Sequence, residues 1–178
     1  VYHGKFEVKD FETPEGMTLY YGADWGFAND PTALIRCFIK DRCLYIDYEA
    51  GGVGIEFEEI PPLFETVPEV RKWKIRADCA RPETISYVQR QGFNIEACPK
   101  WKGSVEDGIA YIRGFERIYV HPRCKNTYNE FKFYSYKQDR VSGDVLPIVL
   151  DKDNHYMDAL RYALNPYIQT EVSILDVL

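Results

Sequence analysis

Three aspartates, Asp24, Asp78 and Asp158, and one histidine, His155, stand where their chemistry is hard to leave idle. Asp24 ends the apolar run Tyr20-Tyr21-Gly22-Ala23-Asp24-Trp25-Gly26, and Asp78 closes Ile75-Arg76-Ala77-Asp78-Cys79. A carboxylate in an apolar strand is costly unless it is paired or holds a cation. Asp158 follows His155 by three residues, so on a helix Asn154, His155 and Asp158 share one edge while Leu160 and Leu164 lean toward a core. Carboxylate oxygen is the donor that Mg²⁺ and Mn²⁺ prefer, and two such ions about 4 Å apart can activate water and stabilise a leaving oxygen in phosphodiester cleavage. Taken singly, each aspartate reads equally well as a turn or surface acid. Asp151 and Asp153, just ahead of the helix, are solvated loop acids or water-mediated contacts to such ions.

Bringing these residues together falls to the elements around them. Leu19 to Trp25, Thr32 to Ile39 and Cys43 to Tyr48 read as three strands of an antiparallel meander, turned at Lys40-Asp41-Arg42. Ile55 to Phe64 has helical character, which Pro61-Pro62 is expected to break or kink. Lys74 to Cys79, Pro82 to Gln91 and Phe93 to Cys98 then form a strand, a helix stopped by Gly92 and a second strand, a βαβ unit with parallel pairing. Asp78 falls at the C-terminal end of its strand, where open α/β sheets place ligands.

Ser104 is expected to cap a helix to about Arg113, Arg117 to Val120 a short strand, and Lys125 to Phe133 a further helix. Ser142-Gly143-Asp144 between β-prone runs predicts a hairpin over 133–150, basic on its first strand. Asn154 to Leu164 is the clearest helix, with Asp153 or Asn154 as N-cap and Asn165-Pro166 ending it.

The length of 178 residues suits one domain that buries roughly 70% of its unfolded surface. A hydrophobic content of 46% excludes a disordered chain. No apolar run approaches the length of a membrane span, and no signal-peptide pattern is present. Five cysteines without a Cys-x-x-Cys pair predict reduced thiols rather than a disulfide framework or zinc ribbon. A net charge of −6 is awkward for a partner of polyphosphate. Locally, however, basic residues gather with aromatics at Arg71 to Lys74, Lys100-Trp101-Lys102 and Lys132 to Arg140. Each such group alone can equally be a solvated face.

The segments Gly22 to Gly26, Arg76 to Glu83 and Asn154 to Leu164, in that order, resemble the nuclease domain of tailed-bacteriophage large terminases; the last is the most specific. Lys102-Gly103-Ser104-Val105 followed by Gly108-Ile109 is similar to the linking segment of that family. The resemblance implies an α/β, ribonuclease H-like (retroviral integrase-like) fold: a central mixed β-sheet flanked by helices, with an additional β-hairpin. It implies a metal-dependent endonuclease that cuts double-stranded concatemeric viral DNA during genome packaging. Asp24, Asp78 and Asp158 would be its catalytic and metal-binding triad, with Mg²⁺ or Mn²⁺ as cofactor, two ions in the active complex. His155 matches the motif histidine, as a ligand or proton-transfer group, or as a residue that orients Asp158 or a phosphate.

No Gly-x-x-x-x-Gly-Lys-Ser/Thr phosphate loop is present, so the packaging ATPase is expected upstream. Residues 1–18 then read as a linker, apart from a possible strand at Lys5 to Val8, residues 19–167 as the nuclease domain, and 168–178 as a tail. Lys100, Lys102, Lys132, Lys137 and Arg140 are the expected DNA-backbone contacts, with Trp101 against sugar or core. The resemblance further implies portal protein and small terminase subunit as partners, and a place in the host bacterial cytoplasm at the procapsid portal. Two rivals stand beside it: another ribonuclease H-like nuclease or resolvase, and a non-catalytic module that docks DNA or portal.

Overall fold

Side chains alternate along the central strands, and that alternation sorts the molecule into two layers. In the computed structural model, which describes residues 1–175, β2 (Tyr20–Asp24), β3 (Pro31–Lys40) and β4 (Cys43–Val53) form the expected antiparallel meander. Along β3, Ala33, Ile35 and Cys37 join one core cluster while Leu34 and Phe38 join the other. A period of two in a strand buried on both faces produces this split.

The meander continues into β5 (Ile75–Asp78) and β6 (Ile95–Cys98), each parallel to its neighbour, and on the other side into β7 (Ile118–Val120) and β1 (Phe6–Val8). The seven strands lie in the order β1-β7-β4-β3-β2-β5-β6. Helices α1 (Ile60–Glu65) and α2 (Pro82–Arg90) cover one face, burying Phe64, Ile85 and Val88 there. Helices α3 (Ser104–Arg113), α4 (Lys125–Phe133), α5 (His155–Ala163) and α6 (Asn165–Leu175) bury Ile109, Phe131, Leu160 and Ile168 on the other. A separate hairpin pairs β8 (Tyr136–Gln138) with β9 (Val145–Val149). A mixed sheet with helices on both faces and an added hairpin is the arrangement that the resemblance implied.

Four local readings change. Residues 1–18 are built into the domain: β1 pairs with β7 at the sheet edge, Tyr2 is buried beside Phe131, and Thr13 donates to Asp47. Pro61 and Pro62 sit in the first turn of α1 and start it rather than break it, because the missing amide hydrogens have no intrahelical partners there. The N-cap of α3 is Gly103, at φ 86°, and Ser104 is the first helical residue. Asn165-Pro166 ends α5 and at once begins α6, so the tail expected from residue 168 is helical to Leu175; residues 176–178 lie outside the described part. Among the described residues no helix is long and apolar enough to cross a membrane.

Candidate metal centre

The pleat decides where Asp24 and Asp78 point. Tyr21 and Ala23 of β2, and Ile75 and Ala77 of β5, face the α1/α2 layer, so Gly22, Asp24, Arg76 and Asp78 face α5. Because β2 and β5 are parallel and in register, both carboxylates emerge at the same end of the sheet. Helix α5 lies across β2, β3 and β5 at that point. A Cβ at Gly22 would stand 1.8 Å from the Ala159 carbonyl oxygen and 2.6 Å from the Ala163 nitrogen. Only glycine lets the helix backbone come this close, and that approach carries His155 and Asp158 over Asp24.

Each carboxylate is closed on one internal cation. His155 donates from Nδ1 to Asp24 Oδ2 at 2.8 Å, and its Nε2 lies 3.3 Å from Asp30 Oδ1. Lys100 donates from Nζ to Asp78 Oδ1 at 2.5 Å, and that oxygen also accepts from the Ala80 amide at 3.2 Å. Arg161, one turn beyond Asp158, donates to Asp158 Oδ1 at 2.6 Å while its buried Nε has no partner. Gly108 of α3 makes room for that arginine: a Cβ there would meet Arg161 Cδ at 2.7 Å.

Compensation is incomplete, and the proton affinities register it. Burial pushes the Asp24 carboxyl up to about 6; the His155 hydrogen bond works against this, while the negative Asp158 and Asp78 add to it. Burial likewise raises Asp158, against the pull of Arg161. The bond to Asp24 holds His155 up to about 9, outweighing burial, so at neutral pH the pair is imidazolium and carboxylate. Burial pulls Lys100 down, but Asp78 holds it above the ordinary lysine range, and Asp24 adds to the effect. Tyr162 is buried near the group, its phenol raised by burial and then by Asp158, Asp24 and Asp78. Asp24 thus lies within electrostatic reach of both Asp78 and Asp158.

The donor set fits a hard divalent cation, because three converging carboxylates repel one another and offer only oxygen. Among the described residues, no three His, Cys, Asp or Glu side chains are drawn close enough around one point to hold an ion as they stand. The side chains of His155, Lys100 and Arg161 take up the negative charge instead. Asp151 accepts from the Asn154 side chain and lines a cavity of about 260 Å³ with Asp158 and Arg161; Asp153 is exposed beside Lys152.

Residues 24–166, from the first aspartate to just beyond α5, match the family described as Terminase RNAseH like domain. The chain belongs to this family. It is 32% identical over 167 residues to the large terminase subunit of Bacillus phage SPP1, covering 88% of this chain and 38% of that protein. To the PBSX phage terminase large subunit of Bacillus subtilis strain 168 it is 28% identical over 152 residues, covering 82% and 34%. The chain thus spans little more than a third of these relatives. The SPP1 large-terminase nuclease domain, crystallised with bound Mn, superposes with a TM-score of 0.82 at 25% identity, over 92% of this chain and 97% of that one.

In this terminase domain the expected basic residues divide. Lys100 joins the carboxylate cluster through its bond to Asp78, with its side chain half-exposed. Lys102, Lys132, Lys137 and Arg140 are exposed on the loop before α3, the end of α4 and the hairpin, and none bonds to the carboxylates among the described contacts. Trp101 packs against the core and donates to Asp107 at 2.7 Å. The five cysteines are free thiols.

Sequence reasoning missed Arg161 and Glu130 as parts of the site. Glu130 of α4, 8% exposed, accepts from the Met157 amide at 2.9 Å and satisfies the first turn of α5, where Asn154 makes no side-chain cap. Burial raises Glu130 to about 8 against that bond. Asp158 and Arg161 stand three residues apart, a spacing that permits a helical ion pair, and the packing around α5 buries it.

Proposed function

We propose that this domain is a divalent-metal-dependent endonuclease that cuts double-stranded concatemeric viral DNA during genome packaging. The observation that carries the reading is the meeting of Asp24, Asp78 and Asp158 from two strands and a helix, each bonded to its internal cation at one oxygen only. Family membership and the Mn-bound SPP1 domain support it. Asp24, Asp78 and Asp158 would hold Mg²⁺ or Mn²⁺, two ions in the active complex. Bound ions supply Lewis acidity that activates water and stabilises the leaving oxygen.

The chain's own residues divide the remaining work. His155, held between Asp24 and Asp30, orients the Asp24 carboxylate and is proposed as a positioning group. Arg161 holds Asp158 from the buried side, and Tyr162 walls the cluster from the interior. Lys100 is half-exposed on a flexible stem, and on leaving Asp78 it can meet a phosphate. Lys102, Lys132, Lys137 and Arg140 are proposed to track the DNA backbone, giving weak, salt-sensitive and sequence-independent binding.

The relatives' greater length leaves room for an ATPase domain upstream in the same polypeptide; portal protein and small terminase subunit, at the procapsid in the host cytoplasm, are proposed as partners. Incubating supercoiled plasmid with the chain in Mn²⁺, Mg²⁺ or EDTA tests the enzymatic reading. Nicking and linearisation in either metal and none in EDTA is the expected result. No metal-dependent cutting at high protein concentration overturns it and favours a docking module.

A further inference from the structure

The loop that leaves Asp24 is tightly built, yet it holds its largest apolar side chain out in solvent. The Gly26 amide donates to Thr32 Oγ1 at 3.1 Å, and a Cβ on Gly26 would stand 2.2 Å from the Asp30 carbonyl oxygen. The Asp30 amide donates to the Phe27 carbonyl at 3.0 Å, while the Asp30 carboxylate faces His155. Trp25, just before, donates from its indole to the Asp78 carbonyl at 3.0 Å. Ala28 takes φ 54°, a left-handed conformation that alanine rarely adopts. Between these fixed points Phe27 is 70% exposed.

A single exposed aromatic is ordinary on a protein surface. Phe27 differs because the Arg81 guanidinium lies over its ring, 5.1 Å from the centroid, and makes no hydrogen bond or ion pair among the described contacts. Phe27 comes three residues after Asp24, and Arg81 three residues after Asp78, on loops leaving the same end of neighbouring parallel strands. The pair therefore stands at the rim of the carboxylate cluster, where a strand whose phosphate reached Asp24 and Asp78 would pass. A cation stacked on an aromatic face offers a phosphate partner and an apolar plane side by side, the two surfaces of a nucleotide.

We infer that Phe27 and Arg81 form a nucleotide subsite beside the scissile phosphate, with Arg81 on the neighbouring phosphate and Phe27 against an unstacked base. The inference rests on the nuclease reading above. An apolar wedge at a base step partly unstacks it, and unstacking is least costly where the duplex is already mismatched or nicked. The domain should therefore bind such sites in preference to a perfect duplex.

The test uses the 178-residue chain, Ca²⁺ in place of a catalytic metal, and short duplexes carrying 2-aminopurine at successive positions, followed by anisotropy and base fluorescence. Wild type is expected to raise 2-aminopurine fluorescence at one position. Phe27→Ala should abolish that rise and weaken binding on the order of tenfold, with the slope against salt unchanged. Phe27→Trp should keep binding and unstacking. Arg81→Ala should lower the salt slope by roughly one. Phe27 is exposed and Arg81 half-buried at the rim, and circular dichroism melts report whether each variant is folded. Duplex binding by Phe27→Ala and Arg81→Ala equal to wild type, with no unstacking in any of them, overturns this inference alone. No duplex binding by wild type overturns the nuclease reading and this one together.

Discussion

Two groups of buried charge lie on opposite faces of the same sheet, and they are built differently. On the α1/α2 face, Arg36 of β3 and Asp47 of β4 are 4% and 1% exposed. Arg36 Nε reaches both Asp47 oxygens at 3.1 and 3.0 Å, and NH2 reaches Oδ2 at 2.5 Å. NH1 donates to the Pro68 carbonyl, and Thr13 bridges the pair. Every guanidinium nitrogen is used. On the α5 face, three carboxylates have one cation each, each held at a single oxygen, and Arg161 keeps an unpartnered Nε. A closed fork ties two strands and the segment before β2 together; a cluster whose carboxylates each meet their cation at one oxygen only keeps oxygens to offer an external cation. Burial alone would not distinguish them; the degree of compensation does.

Asp78→Asn should show the largest effect and break the functional side of the comparison. Asparagine keeps the volume and can still accept from Lys100 and Ala80, but it removes the charge a cation needs. Plasmid cleavage should fall by on the order of 10²–10³ or more, with a melting midpoint within a few degrees of wild type. Unchanged cleavage would remove Asp78 from the site.

Asp47→Ala tests the structural side. It leaves the Arg36 guanidinium buried without its carboxylate, and urea denaturation should report a loss of about 3–5 kcal/mol. Replacing both partners, Arg36→Met with Asp47→Leu, should recover most of that loss, since no buried charge is then left uncompensated. Wild-type stability in Asp47→Ala would mean the closed fork is not what holds these strands.

Lys100→Met sharpens the comparison with a smaller effect. If Lys100 stands in for an external cation, removing it should raise Mn²⁺ affinity measured calorimetrically without DNA. Lys100 is half-exposed, so the expected gain is only roughly two- to fivefold. Weaker Mn²⁺ binding in this variant would make Lys100 a support for Asp78 rather than its competitor.

The same contrast marks what the sequence could reveal. Strand alternation placed Asp24 and Asp78 at strand ends, and helical spacing put His155 and Asp158 on one edge, because these features depend on a few adjacent residues. Partner choice does not. His155 bonds Asp24 rather than Asp158 because Gly22 lets α5 settle onto β2, and Lys100 turns to Asp78 because β6 lies beside β5 in register. Residues 1–18 lack periodicity, since three residues of β1 become a strand only against β7. Pro166 reads as a stop, yet proline suits the first turn of a helix, which is where α6 uses it. Glu130 has the sequence appearance of a surface helical acid, and only the packing of α4 on α5 buries it.

Glu130 therefore supplies the smallest effect, a pH dependence that tests whether the support of α5 shares the incomplete compensation of the site. Its folded carboxyl lies at about 8 and an unfolded glutamate near 4.5. Between those values the folded chain holds a proton that the unfolded chain has released, so the unfolded state binds fewer protons and stability falls as pH rises through this window. Below it both states are protonated and above it both are ionised, so the contribution flattens at each end. Glu130→Gln keeps an oxygen for the Met157 amide and removes the titration. Metal-free denaturation between pH 5 and 9 should give a shallower decline in the variant than in wild type, with the curves separating most at the alkaline end. Parallel curves would mean that Glu130 is already ionised at neutral pH, fully compensated by the first turn of α5 in the way Arg36 compensates Asp47.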